Sequence, residues 1–83
     1  MREIFKIDLD PSDISRFVDR ANTIPNDVNL FQCDNTVASG KSIVGICALD
    51  FNKDIYMIVY DRADDNIVYK TFGDWISDGA RKV

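Results

Sequence analysis

The chain predicts one small α+β domain: a four-stranded sheet with three helices on one face. Three observations carry this. Phe5 to Leu9 alternates with a period of two, as a half-buried strand does, and Ile55 to Tyr60 is a β-branched and aromatic strand. Between them Ile14, Phe17, Val18 and Ala21 fall at i, i+3, i+4 and i+7, the stripe of an amphipathic helix. The 83 residues leave room for one domain only.

The elements follow in order. In the first strand Phe5, Ile7 and Leu9 point one way, Lys6 and Asp8 the other. Asp10-Pro11-Ser12-Asp13 then opens the first helix: Asp10 is a good N-cap, Pro11 suits the first helical position, and Asp13 favours the positive end of the helix. Arg16, Asp19 and Arg20 take its wet side, and Pro25 closes the polar stretch that ends it. Val28 to Gln32 and Thr36 to Ala38 read as a hairpin around the Asp34-Asn35 turn. Ser39-Gly40-Lys41-Ser42 breaks it and starts a short second helix with Ile43, Val44, Ile46, Cys47 and Ala48 as its apolar residues. Phe51-Asn52-Lys53-Asp54 is the next turn, and Ile55 to Tyr60 is a β-branched and aromatic strand. Ala63-Asp64-Asp65-Asn66 caps a last helix with Val68, Phe72, Trp75 and Ile76 as its stripe. Gly79 lies beyond that helix, Asp78 to Val83 is expected to fray, and Arg81-Lys82 is read as a solvated tail.

Composition excludes several classes of function. The chain is 46% hydrophobic and 29% charged, a globular balance. Its 14 acidic and 10 basic residues give a formal charge of -4, which disfavours nonspecific nucleic-acid binding. The longest apolar run, Ile55 to Tyr60, is far short of the ~20 residues a membrane span needs. No export signal is read at Met1-Arg2-Glu3-Ile4, so a cytoplasmic home is expected, with Cys33 and Cys47 as free thiols. No metal or other cofactor is expected, since there is no histidine to help two cysteines hold one. Ser39-Gly40-Lys41-Ser42 has the ending of a phosphate-binding loop but lacks its first glycine.

Lys41-Ser42-Ile43-Val44-Gly45-Ile46-Cys47-Ala48-Leu49 resembles the Lys-Ser-Ile-x-Gly-x-x-x-Leu segment that opens the second helix of the HPr family, the phosphocarriers of the bacterial sugar phosphotransferase system. Length and element order are similar over almost the whole chain, and Asp27-Val28-Asn29-Leu30 looks like the family's second strand. The resemblance implies an open-faced β-sandwich, β-α-β-β-α-β-α, with an antiparallel sheet. It also exposes a departure. The family carries its phosphate on a histidine in a His-Ala-Arg-Pro segment, and Asp10, Pro11, Ser12 and Asp13 stand there instead. Both phosphoacceptor and arginine are missing. Asp10 as an acyl-phosphate site is disfavoured by Asp8 and Asp13, which repel a phosphoryl donor, and by the lack of a cation in the helix's first turn.

The chain therefore resembles Crh, a member of that family without the active histidine. Ser42 matches the family's regulatory phosphoserine, with Lys41 as a cation beside it; the plainer reading is a helix cap. Ile43, Val44 and Cys47 match an apolar docking patch, or are core. The implied function is non-catalytic regulation by protein binding, with an HPr-type serine kinase or a transcriptional regulator as partner and homodimerisation left open. The alternatives are a phosphotransferase-system phosphocarrier and an unrelated small α+β interaction or oligomerisation module.

Overall fold

The computed structural model describes residues 3–61 and 65–82. Among them the order is β1 (Glu3–Ile7), a 3-10 turn (Pro11–Asp13), α1 (Ile14–Ala21), β2 (Val28–Phe31), β3 (Val37–Ser39), α2 (Ile43–Cys47), β4 (Ile55–Val59), α3 (Asp65–Phe72) and β5 (Ile76–Lys82). The strands form one antiparallel sheet in the order β3-β2-β4-β1-β5. The α+β class and the helix count hold. The strand count is corrected from four to five.

The fifth strand arises where a helix stripe was expected. Val68 and Phe72 do lie buried in α3, but the helix stops at Phe72, so Trp75 and Ile76 fall outside it. Gly73 is a poor helix former and Asp74 a good turn former, so the chain leaves the helix there. Trp75 is then held on α1: its ring lies 5.2 Å from that of Phe17, and the guanidinium carbons of Arg16 and Arg20 sit 5.3 and 5.6 Å from it. Asp74 pairs with the same two arginines at 3.8 and 3.4 Å. Pinned in this way, the chain runs out along β1. Asp8 N–H donates to Trp75 C=O at 2.8 Å, and Ile7 pairs with Ile76. Residues 78–82, expected to fray, belong to this strand, and Arg81 and Lys82 pair with Ile4 and Glu3 rather than forming a tail. β1 would otherwise present an open edge of backbone donors and acceptors. Of the expected helix cap, Ala63 and Asp64 lie outside the described residues.

Alternation divides the two faces of the sheet. Phe5, Ile7, Val28, Leu30, Ala38, Ile55, Met57 and Val59 are buried in one cluster with Ile14, Phe17, Val18 and Ala21 of α1, Ile46 of α2, and Val68 and Phe72 of α3. All three helices therefore cover the same face. Tyr56, Ile58 and Phe31 lie half-buried on the other, where the Phe31 and Tyr56 rings stack at 5.6 Å. β4 is the central strand, as its apolar sequence requires.

Gly40 follows β3 where the backbone meets a side chain. Its N–H donates to Val28 C=O at 2.7 Å, and a Cβ there would stand 2.6 Å from Val28 Cγ1 and 3.0 Å from its Cβ. Val28 is buried and β-branched, so it has little rotamer freedom to yield. Gly40→Ala should cost about 1–3 kcal/mol of overpacking, measured by urea denaturation. A neutral result would mean that the β2–β3 hairpin shifts freely.

Candidate functional site

The residues singled out from the sequence fall into two separate places. The first is the start of α1. Asp10 does not cap with its side chain, as the sequence suggested. Its C=O accepts Asp13 N–H at 2.8 Å, while its carboxylate accepts the Ser12 hydroxyl at 2.8 Å. The physical reason is the 3-10 turn over Pro11–Asp13, which places the α-helix start at Ile14. Arg16 thus falls in the first turn of α1, where no cation was expected, but it is engaged with Asp13 and Asp74, each at 3.8 Å.

This segment lines a cleft of about 390 Å³ between residues 7–13 and 51–55. Asp8, Asp10, Asp13 and Asp54 all contribute to its wall, with Lys53 as the one cation there. Its charge repels a phosphoryl donor. Among the described residues no group of three or more Asp, Glu, Cys or His is placed to hold a metal ion. Nearby, hydrogen bonds from the Thr36 side chain and N–H, together with Lys53 Nζ at 3.3 Å, hold the Asp34 carboxyl below the ordinary aspartate range. This fixes the β2–β3 turn, in which Asn35 takes the left-handed conformation at φ 69°.

The second place is α2. Ser42 is its N-cap: Oγ accepts Gly45 N–H at 3.0 Å, and the residue is half-buried rather than exposed. Lys41 does not stand as a free cation beside it. Its Nζ donates to Ile24 C=O at 2.8 Å, just beyond the C-terminal end of α1. A five-residue helix turns only one side inward, and that side is Ile46. Ile43 is 50% exposed, Val44 83%, and Cys47 is an exposed free thiol. They form an outward apolar surface beside the cap and are not core. None of Ser42, Ile43, Val44 or Cys47 lines the acidic cleft, so the two places are not one site.

Sequence reasoning missed Gln32, a buried polar residue that ties β2 to the loop after α2. It also missed that Arg20 and Lys70 line one groove, with Lys41 bonded to the C=O of Ile24 in the same lining. Their separation along the chain leaves no local charge run to notice. No helix among the described residues is long and apolar enough to cross a membrane.

The fold and these surfaces define a small α+β domain with an outward apolar helix face. No protein-family model matches the chain, and neither does any curated protein or solved structure.

Proposed function

We propose that the chain is a non-catalytic, HPr-like regulatory or adaptor protein of the cytoplasm, which binds another protein through α2 and is switched at Ser42. The observation that carries this reading is the outward surface of Ile43, Val44 and Cys47 directly after Ser42. Exposed apolar side chains this close together favour a protein partner. The partner of this reading is an HPr-type serine kinase or a transcriptional regulator.

Phosphorylation would add about -1.5 to -2 charge at Ser42, and phosphate oxygens can accept the Gly45 N–H that Oγ now accepts. Lys41, drawn to Ile24, offsets that charge less than a lysine aimed at Ser42 would. Incubation with an HPr-type serine kinase and ATP should modify Ser42 and no other serine, and Ser42→Ala should abolish it. An unmodified wild type beside a phosphorylated HPr control removes the switch and leaves Ser42 as a cap.

The phosphocarrier reading makes the opposite demand. It requires transfer from the phosphorylated general phosphotransferase enzyme, which the histidine-free chain and its acidic cleft oppose. An acid-labile phosphoprotein formed with that enzyme and phosphoenolpyruvate would restore it. The reading as an unrelated interaction or oligomerisation module is favoured by one observation, the stacked Phe31 and Tyr56 on the uncovered sheet face. A dimer in sedimentation, lost on Tyr56→Ser, would support that module instead.

A further inference from the structure

We propose that the groove between the C-terminal ends of α1 and α3 is a second binding surface, taking an acidic polypeptide segment that sets an apolar side chain between its carboxylates. The groove, of about 440 Å³, is lined by Arg20, Thr23, Ile24, Ile67, Lys70 and Thr71. It contains none of Ile43, Val44 or Cys47.

Charge is the main argument. On a chain of net charge -4, three cations away from the groove are each matched by a carboxylate: Lys6 by Asp54 at 3.6 Å, Arg16 by Asp13 at 3.8 Å and Lys53 by Asp34 at 3.3 Å. At the groove they are not. Arg20 has to share Asp74 with Arg16. Lys70 has no carboxylate within ion-pair distance among the described residues. Neither has Lys41, which stands outside the lining but donates to the C=O of Ile24, one of the lining residues, at 2.8 Å. Positive charge in excess therefore collects around one residue, Ile24, on an otherwise acidic molecule.

The lining sets the class of ligand. Ile24 and Ile67 are both half-buried, leaving apolar surface between the cations. An inorganic anion would leave that surface unused. A second copy presenting the same groove would meet like charge. Arg20 and Lys70 also sit in the last turns of their helices, where a cation offsets the negative helix end. That role explains neither Lys41 nor the two isoleucines.

The test is an NMR titration of the whole chain with the peptide Glu-Glu-Leu-Glu-Glu, alongside Glu-Glu-Ser-Glu-Glu and inorganic phosphate. The amides of Ile24, Ile67, Lys70 and Thr71 should shift, and binding should weaken as salt rises. Affinity should fall about tenfold in the Lys41→Gln, Lys70→Gln double variant. Lys70→Gln alone, at an exposed side chain, should show a several-fold loss with the fold intact. Absence of shifts at the groove overturns the proposal, as does undiminished binding by Lys70→Gln. Equal binding of the serine peptide or of phosphate overturns the peptide assignment. Groove shifts on concentrating the protein alone would assign the surface to a second copy.

Discussion

Phe17→Ala should be the most damaging single truncation, costing about 3–5 kcal/mol. Phe17 is fully buried, and its ring lies 5.1 Å from Phe72 and 5.2 Å from Trp75. It is therefore the point at which α1 meets both the end of α3 and the turn into β5. A domain of 83 residues has a total stability of roughly 4–12 kcal/mol at the usual per-residue value, so this loss takes a large share of it. The protein has a single tryptophan, Trp75, buried against the same ring, which makes its fluorescence a direct reporter. In urea the midpoint should fall steeply. Phe17→Leu, which keeps most of the volume, should lose much less. If Phe17→Ala unfolds at the wild-type midpoint, the α1–Trp75 contact is not what holds β5 in place.

That contact also marks the limit of what the sequence made legible. Local pattern and composition placed β1 and β4 within two residues at each end and identified every buried residue of α1, but began that helix at Pro11, three residues early, because a 3-10 turn over Pro11–Asp13 precedes it. β5 was not legible. Val68, Phe72, Trp75 and Ile76 do fit a helical stripe, yet Trp75 is buried by packing on Phe17 and the arginines of α1, and the half-buried Ile76 is held by pairing with β1. Both causes are long-range. The same holds at the candidate sites. Ser42 as a cap is local chemistry and was readable, whereas the direction of Lys41 depends on where α1 ends in space. A short helix with more apolar residues than one side can bury did forecast that some face outward. In the fold the inward one is Ile46, which joins the core cluster with Ala38 and the buried residues of α1.

Gln32→Leu should cost about 2–3 kcal/mol although it adds apolar surface to a buried site. The sequence reads Gln32 as an ordinary last residue of a strand. In the fold it is buried, and its amide does the work of a missing strand neighbour. Nε2 donates to Asp50 C=O at 2.7 Å and to Asp54 C=O at 3.4 Å, while Oε1 accepts Asp50 N–H at 3.1 Å. One side chain thus fastens both ends of the 50–54 loop, which forms one wall of the acidic cleft. Leucine matches the volume but removes donor and acceptor together, leaving the Asp50 N–H without its acceptor, while the Asp50 C=O keeps only the Lys53 N–H at 3.1 Å. Amide exchange at Asp50 should accelerate by more than at Leu30, on the strand just before. Gln32→Glu separates hydrogen bonding from packing. Its carboxylate would face the Asp50 carbonyl without a proton to donate, so the burial and the facing oxygen both raise its pKa above the unfolded value. Its stability should then be greatest below the unfolded glutamate range and should fall as pH rises through the folded value. A Gln32→Glu variant whose loss, relative to wild type, is the same at acidic and neutral pH would show that the amide does not fasten the loop in this way.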